Sequence, residues 1–274
     1  MTTTTPATAG REANPRLRAA CEVALEAGAL ALARFRDKGS IQVSFKGHQD
    51  YLTEVDGLVE RLIIERLSAR FPEDGFIGEE GGGSGSARVW VIDPIDGTSN
   101  FARGIGHFCV SIAYVDDRGP ALGVIYDPTR DELFAAERGG GATLNGAPIA
   151  VSGIADPRRA SVECGWSMRR PIGDYIALMG RVAEMGAGLY RLGSGALGMA
   201  YVAAGRTDAY CELHINSWDV LAGLVIVAEA GGAVSDFTAG DYLANGNPVL
   251  ACSPALAEKL ARATGIPMDR GQSC

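Results

Sequence analysis

The feature that most limits the fold is a succession of four short apolar segments, 88–92, 108–115, 121–126 and 132–136, each bounded by Gly, Pro or Asp. Segments of that length between turn residues read as strands. Their spacing leaves no helices between them, so this half of the chain is expected to form an antiparallel sheet. Two helices are predicted ahead of it. Asn14 and Pro15 make an N-cap and first-turn pair for a helix over 15–36, and Thr53 opens another that ends near Arg70, before Pro72 and Gly75. Short strands are expected at 41–45 and 76–78.

Beyond residue 156 the rhythm changes. Strands at 160–164, 189–192, 209–212, 233–236 and 248–251 alternate with helices at 174–185, 195–204 and 217–230 and with a last one from Pro254. That alternation predicts a second sheet sandwiched by helices. The expected division is a disordered tail over 1–13, an N-terminal half over 14–155, a C-terminal half over 156–266 and a short tail over 267–274. No internal repeat breaks this pattern.

Charge excludes some partners. The chain is acidic, with 33 Asp and Glu against 25 Lys and Arg, and no basic cluster marks a nucleic-acid or anionic-membrane footprint. An anionic substrate would then need local cations. Residues 1–14 lack an apolar core of the secretory type and the longest apolar runs are too short to span a bilayer, so a cytoplasmic chain is expected. The six cysteines are scattered without a C-x-x-C pair, which points to buried free thiols.

The chemistry is concentrated in Asp93-Pro94-Ile95-Asp96-Gly97-Thr98, where an apolar strand runs directly into two carboxylates. Pro94 is expected to stop the strand, and Gly97 permits a tight turn with backbone close to a ligand. Such a turn can aim both carboxylates and the Ile95 carbonyl at one point, a hard oxygen set that suits magnesium. The plain alternative is a solvated turn closing a strand. Further acids sit at element ends: Glu79 and Glu80 after a strand, Asp219 at the start of an apolar helix, and Asp56 in Thr53-Glu54-Val55-Asp56. Asp219 also reads as a first-turn acid favoured by the helix dipole, and Asp56 as part of a capping box. The D-x-x-D spacing excludes an aspartyl-nucleophile phosphatase of D-x-D-x-T type and an EF-hand, and no P-loop, nucleophile elbow or H-E-x-x-H is present.

The run from Asp93 to Phe101, Trp218-Asp219-Val220-Leu221-Ala222-Gly223 with Glu229-Ala230-Gly231-Gly232, Gly78-Glu79-Glu80 and Thr53-Glu54-Val55-Asp56 together resemble the signatures of the inositol monophosphatase family. The resemblance covers residues 15–265. It implies a mixed α+β and α/β architecture: a five-layered α-β-α-β-α sandwich with a larger antiparallel-rich sheet and a smaller second sheet. It also implies a homodimer that uses two or three magnesium ions and is inhibited by lithium. By the same resemblance, Glu79, Asp93 and the Ile95 carbonyl hold one ion, and Asp93, Asp96 and Asp219 hold another. Glu79 reaches a third through water, Asp56 and Thr98 orient and deprotonate the attacking water, and the Gly97 and Thr98 amides receive the phosphate.

For the leaving alcohol the resemblance implicates the turn Gly193-Ser194-Gly195 and Glu212, alongside Glu79, Ile95, Asp96 and Asp219. A carboxylate at position 212 would suit vicinal hydroxyls, as in a phosphorylated polyol such as myo-inositol monophosphate. The rivals on the same fold are histidinol phosphate, sugar bisphosphates and nucleotide phosphates, although no basic cluster for a second phosphate is evident. A different class is a non-catalytic interaction partner, since some relatives take part in transcription complexes. Lys46 is a further candidate for the neighbourhood of the third ion.

Overall fold

Helix α1 (Pro15–Arg36) starts as predicted: the Asn14 side chain accepts from the Arg16 N–H at 3.0 Å and Pro15 fills the first turn. The computed structural model describes residues 14–37, 43–47, 50–81 and 88–269, with 43–47 and 50–53 described by backbone alone. The tail over 1–13, the end of the tail over 267–274 and the Lys46 side chain lie outside the described residues. Strands β1 (Val43–Gly47) and β2 (Asp50–Thr53) pair antiparallel and lead into α2 (Glu54–Arg70).

The larger sheet contains β3 (Gly75–Gly78), β4 (Val89–Asp96), β5 (Cys109–Asp116), β6 (Gly119–Asp127), β7 (Glu132–Glu137), β8 (Gly141–Leu144) and β9 (Ala147–Pro148), in that spatial order. Its neighbours pair antiparallel except β3 and β4, which run parallel. Pro94 does not stop β4. The strand continues to Asp96 through an irregularity against β5, where Asp93 faces Ser111 and Asp96 faces Cys109. A bulge needs no ladder donor from every residue, which is why proline is accepted there. The interval expected to lack helix holds a short one, α3 (Thr98–Ala102).

The second sheet has the order β11-β10-β12-β14-β13, built from β10 (Ser161–Cys164), β11 (Gly188–Tyr190), β12 (Ala209–Ile215), β13 (Ala233–Val234) and β14 (Asn247–Cys252). Its helices are α4 (Ile172–Glu184), α5 (Gly195–Ala203), α6 (Ser217–Glu229), α7 (Tyr242–Asn245) and α8 (Ala257–Thr264).

Strand alternation separates three apolar cores and hence five layers. Trp90, Ile92, Ile112 and Val124 face Val59 and Ile63 of α2 and the alanine face of α1. Val91, Ala113 and Ile125 point the other way, onto α5 and α6, whose far side meets Tyr210 and Val249 of the second sheet. Val162, Cys164, Cys211 and Leu250 then close against Leu178 of α4 and Leu260 of α8. Helix α6 sits directly on β6 at Gly123, where a Cβ would lie 2.2 Å from the Ala222 carbonyl oxygen. The described cysteines are free thiols, all buried except the half-buried Cys21. No helix among the described residues is long and apolar enough to cross a membrane.

Candidate active site

Asp93, Asp96 and Asp219 converge so that one carboxylate oxygen from each lies within 4.8 Å of the other two. The irregular end of β4 supplies the first pair, and the first turn of α6 supplies the third. Two contacts fix that turn. The Ser111 hydroxyl of β5 donates to the Trp218 carbonyl at 3.1 Å, and the Asn216 N–H donates to Asp219 Oδ2 at 3.1 Å within a capping box. Asp219 therefore caps its helix and faces the other acids at once.

The electrostatics of this cluster are compatible with a bound cation. Burial raises the Asp93 carboxyl well above the usual range, and Glu79, Asp96 and Asp219 push it further. Burial does the same to Asp219, with Asp96 and Glu79 adding to it. Asp96 is raised less, because the Ser194 hydroxyl and the Ala196 N–H each donate to Oδ2 at 2.6 Å and the Gly195 N–H donates to Oδ1 at 3.3 Å. Like-charged buried acids without a cation resist ionising together. An all-oxygen set of this kind fits magnesium or a similar hard divalent ion.

Glu79 leaves the end of β3, where its N–H donates to the Ile92 carbonyl at 3.2 Å. Glu60 of α2, which the sequence reading missed, holds this corner: its Oε2 accepts from the Glu80 N–H at 3.0 Å. A Cβ on Gly78 would lie 2.2 Å from that oxygen, so any larger residue there would displace the Glu60 carboxylate from this corner. The available signal was a glutamate one helical turn after Asp56, on the face that buries Val59 and Ile63.

Thr98 Oγ1 lies 2.9 Å from the Ile95 carbonyl oxygen and 3.2 Å from Oδ1 of the fully buried Asp56, so its hydroxyl can donate to either. Asp56 sits in the first turn of α2, which makes its helix-start reading and its site reading compatible. Gly97 before α3 has φ +98° and its Cβ would meet the His107 carbonyl, a place for glycine. Asn100 Nδ2 donates to the carbonyls of His107 at 2.8 Å and Leu192 at 2.9 Å, fastening α3 to the turn that precedes α5.

Beside the three aspartates lies a cavity of about 230 Å³ bordered by Gly193, Ser194, Gly195, Tyr210 and Glu212. The Tyr210 hydroxyl donates to Glu212 Oε2 at 2.7 Å, and burial pushes the Glu212 carboxyl up to about 8. Glu163, also missed, borders the same cavity. Its Oε1 accepts from the Leu192 N–H at 3.0 Å, and burial pushes it up to about 7. Glu163 pairs in register with Tyr210, so both share one face of the sheet with Glu212. A glutamate inside an apolar strand was the readable sign. Glu79 borders instead an adjoining outer cavity of about 990 Å³ with Asn100 and Trp218. Ser194 and Gly195, expected beside the leaving alcohol, direct donors to Asp96.

The sequence matches the inositol monophosphatase family over residues 12–266. A Nus factor SuhB of Xylella fastidiosa is 41% identical over 230 residues, 83% of this chain and 84% of that one. An inositol-1-monophosphatase of Mesorhizobium japonicum is 38% identical over 253 residues, 90% of this chain and 95% of its own length. Among solved structures, an extragenic suppressor protein SuhB of Bartonella henselae is similar with a TM-score of 0.86 at 35% identity, covering 94% of this chain and 100% of that one. An IMPase of Thermotoga maritima follows at 0.82 and 33% identity, covering 91% and 96%.

Proposed function

The chain belongs to the inositol monophosphatase family, and on that footing we propose that it is a magnesium-dependent phosphomonoesterase of small phosphorylated polyols, myo-inositol monophosphate foremost. The observation that carries this reading is the convergence of Asp93, Asp96 and Asp219, whose nearest charged neighbours are further acids. In this reading Glu79, Asp93 and the Ile95 carbonyl hold one ion, Asp93, Asp96 and Asp219 hold a second, and Glu79 reaches a third through water. Bound magnesium supplies the positive charge that a phosphate dianion needs among these acids and activates a water for attack at phosphorus.

The remaining steps belong to the chain. With the Thr98 hydroxyl donating to Asp56, a lone pair on Thr98 Oγ1 is left to orient the attacking water. As the water attacks, its proton passes to Thr98 Oγ1 and the threonine proton passes to Asp56. The Gly97 and Thr98 amides receive phosphate oxygens. The Glu212 carboxyl hydrogen-bonds hydroxyls of the leaving polyol, with Gly193, Ser194 and Gly195 shaping that wall.

The proposed enzyme works in the cytoplasm as a homodimer, inhibited by lithium. Of the eight large apolar side chains that stand exposed among the described residues, six fall between Met168 and Leu192, on and around α4 and the edge strand β11. Exposed apolar side chains concentrated on one helix and the neighbouring edge strand favour a second copy as their cover. A second reading, a non-catalytic interaction partner, draws on relatives named Nus factor SuhB. Phosphate release from a panel of inositol monophosphate, histidinol phosphate, a sugar bisphosphate and a nucleotide bisphosphate separates the two. The enzyme reading expects magnesium-dependent turnover that Asp93→Asn abolishes; silence across the panel favours the second reading.

A further inference from the structure

Arg169 and Arg191 border both the inner cavity beside Glu212 and the outer cavity beside Glu79 and Asn100. Both are exposed, and neither forms an ion pair with an acid among the described residues. Many other arginines are paired, among them Arg16 with Asp74, Arg130 with Asp127, Arg138 with Asp116 and Arg206 with Glu132. In a chain whose acids outnumber its bases by 33 to 25, two guanidinia without an ion-pair partner share one cavity rim, where Arg191 also acts across space on Glu163 and Glu212. The Arg191 guanidinium also lies 5.8 Å from the centre of the Trp166 ring, a cation–π contact that favours its place at the rim.

The two arginines flank α4 and β11 in sequence, which is why no basic cluster is visible there. The inner cavity is small, and the outer one extends well beyond it, within the range of pockets for whole ligands. Guanidinium groups are rigid, always charged and matched to phosphate and carboxylate oxygens. We infer that Arg169 and Arg191 form a second anion-binding subsite, so that a phosphorylated polyol or sugar with a second anionic group at its remote end binds more tightly than the same ligand without it. The inference rests on the phosphatase reading only in calling that ligand a substrate.

The test compares a hexitol monophosphate, a hexitol bisphosphate with phosphates at opposite ends, and a phosphorylated aldonic acid with a carboxylate at the remote end. Dissociation constants come from calorimetry with magnesium on the Asp56→Asn variant, which keeps every proposed metal ligand. Values of kcat/KM come from the unaltered chain. At least one of the two ligands with a second anionic end is expected to bind about tenfold tighter than the monophosphate, a difference of about 1.4 kcal/mol. The double substitution Arg169→Gln with Arg191→Gln should erase that preference at an unchanged melting temperature. Equal binding of all three, or a preference that survives the double substitution, overturns the subsite. Preference without turnover upholds the subsite and overturns the phosphatase reading; turnover without preference does the reverse.

Discussion

Asp56 Oδ1 and Thr98 Oγ1, 42 residues apart in sequence, lie 3.2 Å from one another, and the same hydroxyl stands 2.9 Å from the Ile95 carbonyl. The first turn of α2 thus reaches the site by way of a residue in the first turn of α3. If this pair relays the proton of the attacking water, Asp56→Asn should lower kcat by roughly 10²–10⁴-fold with little change in KM. Thr98→Ala should act similarly, Thr98→Ser should keep most activity, and the double variant should be no worse than either single one. Steady-state kinetics on one good substrate decide it; additive losses would separate the two residues.

The three clustered aspartates should make the metal-free chain less stable than the loaded one. Magnesium at about a hundredfold above its dissociation constant is expected to add roughly 3 kcal/mol to unfolding. Asp219→Asn removes one of the opposed charges, so in chelator its melting temperature should exceed that of the unaltered chain, and its gain from magnesium should shrink. Calorimetric scans of both chains, with chelator and with magnesium, measure this directly. Indistinguishable scans would remove the cation cage from consideration.

Glu163 gives a pH dependence of definite sign. Burial raises its carboxyl from 4.5 to about 7 in the folded chain. Between those values the folded state keeps a proton that the unfolded state has released, so stability falls as pH rises through this window. Below it the group imposes no penalty, and above it the full penalty of about 3 kcal/mol is present. Glu163→Gln should therefore flatten this part of the profile and be the more stable chain at pH 8. Urea titrations across the window would refute this if the two profiles stayed parallel.

Gly123→Ala should destabilise by about 1–3 kcal/mol, because its methyl meets the backbone of α6 rather than a movable side chain. Since α6 carries Asp219, the same substitution should weaken magnesium binding in the folded chain. Denaturant unfolding and a metal titration are the two readouts.

The apolar face around α4 and β11 predicts that Ile176→Glu combined with Tyr190→Glu converts a dimer into a monomer. Light scattering coupled to size exclusion reads the mass. A monomeric unaltered chain at micromolar concentration would end the dimer proposal.

Much of this was legible because the signals are local. Asn14 and Pro15 adjoin the helix they start, and Asp93 and Asp96 belong to one continuous run. Glu60, Glu163 and Asn100 were not legible, because each acts on backbone far along the chain, with partners 20, 29 and 92 residues away. Pro94 was misjudged for another reason. Its missing N–H matters only where the neighbouring strand needs a donor, and the irregular register at Asp93 and Asp96 removes that need. The parallel pairing of β3 with β4 is likewise a matter of strand direction, which periodicity does not encode.

Asp96 lies on the larger sheet, yet its donors Ser194, Gly195 and Ala196 come from the far half of the chain, as does its companion Asp219. The cluster that Asp93, Asp96 and Asp219 form is therefore complete only when both halves of the chain have folded against one another. A chain truncated before α6 would lack Asp219 and with it one corner of that cluster.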